Sequence, residues 1–169
     1  MSTARDIALT VNGERVARRV EARQHLIDFL RLDLGLMGTH TGCEHGLCGA
    51  CTVRVDGKIV RGCLVLAISL DGAKVETIEG VSDSGEIRDL QDAFIARNAC
   101  QCGYCTPGML LTAAELLREN AEAGSVPSRD AIREHLSGNY CRCTGYHAIV
   151  DAVEAVAKAR TASSGAGKP

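Results

Sequence analysis

The chain has 169 residues, 46% of them hydrophobic, which is enough apolar material for one ordinary domain or two small ones and excludes a disordered polymer. Its 19 basic and 21 acidic residues leave a formal net charge of −2 with no long run of either sign, and aromatic residues make up only 3%, which argues against nucleic-acid surfaces, charged membrane surfaces and base-stacking platforms. Nine cysteines, an odd number that cannot pair completely, follow an N-terminus without the apolar run of a signal peptide, so metal or redox chemistry is expected in place of a secreted disulfide scaffold.

No run of the chain is long enough to span a bilayer, and the expected location is the cytoplasm. Ile7, Leu9 and Val11 alternate, the pattern breaks at Asn12-Gly13, and Val16 and Val20 resume it, which predicts a β-hairpin over residues 6–20. From Arg23 to Leu34, the residues Leu26, Ile27, Phe29, Leu30 and Leu34 form one helical face that can lie across that hairpin. Thr52 to Val55 and Lys58 to Val60, around Asp56-Gly57, predict a second hairpin. Leu64 to Leu70 suits a buried strand or turn, and Val75 with Ile78 reads as a last short strand.

Residues 80–85 are polar and glycine-containing, and they read as a linker beyond which the pattern turns helical. Four helices are expected there: one on Ile87, Leu90, Phe94 and Ile95, one from Pro107 to Asn120, one from Ser128 to Leu136 and one from Gly145 to about Ala159. Ser128 can cap the third, and Gly138 lies where a helix often stops. The expected organisation is therefore α+β, with a hairpin-rich domain over 1–80, a helical bundle over 81–160 and a small, polar, disordered tail over 161–169.

The glycine-rich loop between the hairpins carries Cys43-x4-Cys48-x2-Cys51, the spacing by which plant-type ferredoxins wrap a [2Fe–2S] cluster, and Cys63 is the natural fourth ligand. Gly42, Gly46 and Gly49 can take left-handed conformations and expose N–H groups near the sulfurs. Zinc is the nearest competing metal for such a loop. His40 and His45 flank it and receive no role.

The second set is Cys102-x2-Cys105 with Cys141-x-Cys143. Each pair stands just before a helix whose first N–H groups are free, with Thr106-Pro107 and Thr144 as the starting signals. Spacing alone also admits a zinc site, and a site using Cys100 in place of Cys105 is conceivable. The symmetry of the helix entries favours Cys102 and Cys105.

Three motifs in this order, Gly-Cys-Glu-x-Gly-x-Cys-Gly-Ala-Cys-Thr-Val from Gly42, Gln-Cys-Gly-Tyr-Cys-Thr-Pro-Gly from Gln101 and Cys-Arg-Cys-Thr-Gly-Tyr from Cys141, resemble the small iron–sulfur subunit of the molybdenum hydroxylases, the xanthine dehydrogenase and aldehyde oxidoreductase family. The resemblance implies a β-grasp ferredoxin domain with a plant-type [2Fe–2S] cluster on Cys43, Cys48, Cys51 and Cys63. It implies a four-helix domain with a second [2Fe–2S] cluster on Cys102, Cys105, Cys141 and Cys143. Gln101 and Cys143 would then lie beside the pterin of a molybdenum cofactor, in its cytosine dinucleotide form, held by a large partner subunit. A medium partner subunit would carry FAD, in a hetero-oligomer that could be a dimer of heterotrimers. Cys100 is not part of the motif.

Two complete sets of four cysteines with no residual catalytic constellation read as a wire, carrying electrons from the molybdenum subunit to the flavin. A free ferredoxin-like carrier would be expected to show a charged docking face that this nearly neutral sequence lacks, and a zinc-bound interaction module would leave Gln101 without a role.

Overall fold

The structure is a computed structural model and describes residues 4–165. Strand β1 (Ala4–Val11) returns as β2 (Glu14–Glu21) through Asn12 and Gly13, whose φ values of 50° and 85° form the left-handed pair that matches the twist of a tight hairpin. β3 (Thr52–Val55) and β4 (Lys58–Arg61) repeat the device at Asp56 and Gly57. β5 (Lys74–Glu76) enters between the hairpins, parallel to β1 and antiparallel to β3, and closes a sheet of order β2-β1-β5-β3-β4.

The helix expected over Arg23 to Leu34 is one short turn, α1 (Leu26–Asp28), that widens into a π-helical stretch, Phe29–Asp33. The Leu34 N–H reaches the Phe29 carbonyl at 3.2 Å across the wider turn. Leu26, Phe29 and Leu30 are all fully buried against the sheet residues Ile7, Leu9, Val11, Val53 and Val75. Residues 64–70 settle as a turn with a 3₁₀ segment, Ala67–Leu70, because their backbone groups bond to the entrance of α1: the Leu26 N–H goes to Val65 and the Ala67 N–H to Gln24.

The polar stretch read as a linker is instead a helix, α2 (Ile78–Asp83). Its apolar content is only the pair Ile78 and Val81, three residues apart and both buried, which is too little to show as periodicity. α3 (Arg88–Ala96), α4 (Thr106–Glu122), α5 (Arg129–Leu136) and α6 (His147–Gly165) follow, so the described residues of this half form five helices where four were expected. Ser128 caps α5 as expected, accepting the Ala131 N–H at 3.1 Å. Thr106 does not cap α4: the residue before it, Cys105, is already helical, so the Thr106 hydroxyl sits in the first turn and turns toward the Cys100 sulfur.

The tail expected to be disordered is helical as far as Gly165, with the hydroxyls of Thr161 and Ser163 each bonding at 3.0 Å to the carbonyls of Ala157 and Ala159 one turn earlier. The rest of the tail, 166–169, lies outside the described residues.

Two large apolar cores result among the described residues, one ending at Val75 and the other beginning at Ile78, and Ile27, Cys51 and Cys63 form a small third cluster. α4 joins the two large ones. It is buried without interruption from Gly108 to Leu117, the pattern of a helix packed on all sides. Its Glu115 accepts the Ile59 N–H of β4 at 2.9 Å, and Arg118 donates to the Gly57 carbonyl in the hairpin turn at 2.8 Å. Arg54 on β3 completes the junction through two bonds to Glu86, at 2.7 and 3.0 Å. Among the described residues, no helix is long and apolar enough to cross a membrane.

Candidate metal centres

The loop between Leu36 and Thr52 has little regular structure, and three residues in it, Glu44, Gly46 and Gly49, have positive φ. These reversals fold the chain back on the Cys43 sulfur, which accepts the N–H groups of Leu47 at 3.3 Å and Cys48 at 3.4 Å. Donation from the backbone of Cys48 and His45 favours the thiolate and holds Cys43 down at about 6. Cys51 precedes β3 and Cys63 follows β4, so the hairpin register that pairs Thr52 with Arg61 sets them side by side, with sulfurs 3.4 Å apart and both residues buried. Burial pushes Cys51 up to about 11. Gly42 leaves room for Cys48: a Cβ there would lie 2.9 Å from its sulfur.

The second set is built at the entries of α4 and α6. Cys105 meets Cys141, and burial together with that contact pushes Cys105 up to about 12. Burial opposes ionisation of Cys141, but bonds from the hydroxyl of Thr144, at 3.2 Å, and from its backbone prevail and lower it. Cys102 and Cys143, both exposed, form the other contact, which raises Cys143.

Both sets therefore hold their thiols in twos: Cys43 with Cys48 and Cys51 with Cys63, then Cys105 with Cys141 and Cys102 with Cys143. Among the described residues, no group of three or more His, Cys, Asp or Glu is arranged to hold a single ion. Paired soft donors fit a two-iron cluster, which takes four thiolates in all. Cys100 is not brought to either set. It lines a separate cavity of about 400 Å³ with Phe94, Ile95 and Leu110, whereas Cys102, Cys105 and Cys141 share one of about 190 Å³ with Cys48, Tyr104 and Tyr140. Gln101 is exposed beside Cys102, as is Cys143.

Both histidines of the first loop are engaged by the protein. His40 stacks on Tyr104 with ring centroids 4.6 Å apart and pairs through Nδ1 with the Tyr104 carbonyl at 2.8 Å, while His45 Nδ1 pairs with the Cys43 carbonyl. Three further residues escaped the sequence reading. Tyr146, which entered there as the last residue of the Cys-Arg-Cys-Thr-Gly-Tyr motif with no role for its hydroxyl, accepts the Cys141 N–H through that hydroxyl at 2.8 Å and donates to the Asn139 carbonyl at 3.0 Å. Asn139 and Arg61 carried no signal beyond the helix stop at Gly138, yet they join the two loops. The Tyr140 N–H, adjacent to Cys141, bonds to the carbonyl of Cys48 at 2.8 Å.

Two sets of four thiols on a sheet-and-helix frame are donor sets suited to [2Fe–2S] clusters, and the chain is of the [2Fe–2S]-binding class. Residues 9–105 match the family described as 2Fe-2S iron-sulfur cluster binding domain, and residues 77–154 match the [2Fe-2S] binding domain family. The chain is 50% identical over 148 residues to the nicotine 6-hydroxylase small subunit of Paenarthrobacter nicotinovorans, covering 88% of this chain and 87% of that one. It is 46% identical over 150 residues to caffeine dehydrogenase subunit gamma of Pseudomonas sp. (strain CBB1), covering 89% of each. Among solved structures, a chain of quinoline 2-oxidoreductase from Pseudomonas putida 86 superimposes with a TM-score of 0.86 at 48% identity, over 97% of this chain and 99% of that one. The chain belongs to the small iron–sulfur subunits of the molybdenum hydroxylases, which are parts of oxidoreductase complexes.

Proposed function

We propose that this chain is the electron-transfer subunit of a molybdenum hydroxylase, carrying electrons from a large molybdenum-pterin subunit to a medium FAD subunit. The reading assigns a β-grasp ferredoxin domain to 1–80 and a helical-bundle domain to 81–160. Cys102, Cys105, Cys141 and Cys143 hold the first [2Fe–2S] cluster on the path, and Cys43, Cys48, Cys51 and Cys63 hold the second. Such clusters supply one-electron redox steps between a two-electron substrate reaction and a flavin. The observation that carries the reading is the abutment of the two thiol sets, whose loops are linked directly by the Tyr140 N–H and the Cys48 carbonyl at 2.8 Å.

The chain's own residues divide the work. The backbone N–H groups of Leu47 and Cys48 hold the Cys43 sulfur as an acceptor, and buried Cys51 and Cys63 keep water from the inner side of the loop. Gln101 and Cys143 are assigned to contact the pterin, in its cytosine dinucleotide form, and their exposure leaves them free to do so. The assembly is assigned as a cytoplasmic hetero-oligomer, with a dimer of heterotrimers as one arrangement. Substrate choice belongs to the large subunit. Nicotine, caffeine and quinoline in the names of the relatives make N-heteroaromatic compounds the class to assay first.

The test is low-temperature electron paramagnetic resonance on dithionite-reduced protein, with iron and zinc measured in the same sample. Two distinct [2Fe–2S] signals are expected, one lost on replacing Cys48 and the other on replacing Cys102. A silent sample that holds zinc and no iron would overturn the reading.

A further inference from the structure

Asn139 is 1% exposed, and both polar atoms of its side chain are used. Nδ2 donates to the Gly49 carbonyl at 3.2 Å, while Oδ1 accepts from the Thr112 hydroxyl and from Arg61, each at 3.1 Å. Arg61 also donates to the Gly138 carbonyl at 2.9 Å and to the Thr52 hydroxyl, which in turn donates to the Gly49 carbonyl at 2.6 Å. One buried amide thus touches the loop of the first thiol set, the end of β4, the core of α4 and the loop of the second set.

The connections end close to the sulfurs. Gly49 lies directly after Cys48 and two residues before Cys51, Arg61 lies two before Cys63, and Asn139 lies two before Cys141. The fit leaves no slack: a Cβ on Gly49 would lie 2.6 Å from the Gly138 carbonyl oxygen and 2.7 Å from the Asn139 amide carbon, and one on Gly108 would lie 2.3 Å from the Gly49 carbonyl oxygen. A buried polar network with every member satisfied has one low-energy arrangement, since displacing any member strands a donor or acceptor away from water.

We propose that Asn139, braced by Arg61, is the positioning residue that fixes the separation and orientation of the two thiol sets. It thereby sets the coupling between the two clusters bound there. The proposal rests on the electron-transfer reading above. Electron tunnelling weakens exponentially and magnetic dipolar coupling as the inverse cube of separation, so both report a drift too small to alter the fold.

The test uses the full chain in its native complex, comparing wild type with Asn139→Ala and with Thr112→Val, which removes one donor to Asn139 at nearly constant volume. The readouts are iron content, the splitting of the two cluster signals in the fully reduced state and the rate of electron transfer between clusters after rapid one-electron reduction. With iron at the wild-type level, Asn139→Ala should shift the splitting and slow the transfer several-fold, and Thr112→Val should shift both in the same direction by less. Wild-type splitting and rate in iron-replete Asn139→Ala would overturn the proposal. Should Asn139→Ala not fold, Thr112→Val decides, and loss of iron from it would overturn positioning in favour of a role in cluster retention. Failure of the electron-transfer reading itself would be separate, since the wild-type complex would then lack the two signals.

Discussion

Gly49 and Gly72 separate two reasons for a glycine. Both have positive φ, 74° and 81°, but a Cβ at Gly72 would meet nothing within 4 Å whereas one at Gly49 would press into the backbone of Gly138 and Asn139. Gly72→Ala should therefore cost only the left-handed backbone term, about 1–2 kcal/mol. Gly49→Ala should cost that plus about 1–3 kcal/mol for forcing atoms into a packed site. Denaturant unfolding of the two variants checks this, and equal losses would show that the loop yields freely. The thiols were legible because ligands on one loop leave their spacing in the sequence. Asn139 was not, since its partners Arg61 and Gly49 stand 78 and 90 positions away and nothing local marks the meeting. The bonds of the Tyr146 hydroxyl were not legible either, because apolar periodicity registers a ring and is blind to its hydroxyl.

At the scale of elements, local chemistry carried furthest where one residue type had one use. Asn12-Gly13 and Asp56-Gly57 announced both hairpins, since a tight turn there needs two left-handed residues. Ser128 announced α5, whose interior anchors are Ile132 and Leu136. Ser128→Ala should cost about 1 kcal/mol by stranding the Ala131 N–H, and Ser128→Gly only a few tenths. A thermal melt of the two variants that placed them level would mean the hydroxyl is not the cap. α2 was illegible because its two buried residues sit among polar neighbours, with its start held by distant groups: Asn12 accepts the Thr77 N–H at 2.8 Å and Glu79 accepts the Gly38 N–H at 2.8 Å. The length of α4 was legible, but its burial on every side was not, because the second face it covers belongs to the hairpin β3–β4.

The two halves of the molecule are held by polar contacts as well as by α4, and this makes their union sensitive to acid. Arg54 is buried on β3 and pairs with Glu86 and Glu76. Its hydrogen bonds to Glu86 hold that carboxyl below the ordinary range, outweighing burial, which acts in the opposite direction. A carboxyl whose folded value is depressed contributes stability that is complete above its unfolded value and is lost as pH falls through the folded one. Asp89, lowered chiefly by its bonds to Arg160, adds to the same limb between α3 and α6. The contribution of these carboxylates should accordingly be flat from neutrality down to their usual range, about pH 4, and fall below it. Glu86→Gln should be less stable at neutral pH and show a shallower acid limb, because its side chain no longer binds a proton on unfolding. Denaturant midpoints across the acid range measure this, and a Glu86→Gln limb parallel to wild type would place the acid sensitivity elsewhere. In the same titrations, a probe of the sheet half and a probe of the helical half should unfold together in wild type, since α4 is part of the helical core and also packs against β3 and β4. Separate transitions would mean that the junction contacts do not couple the halves.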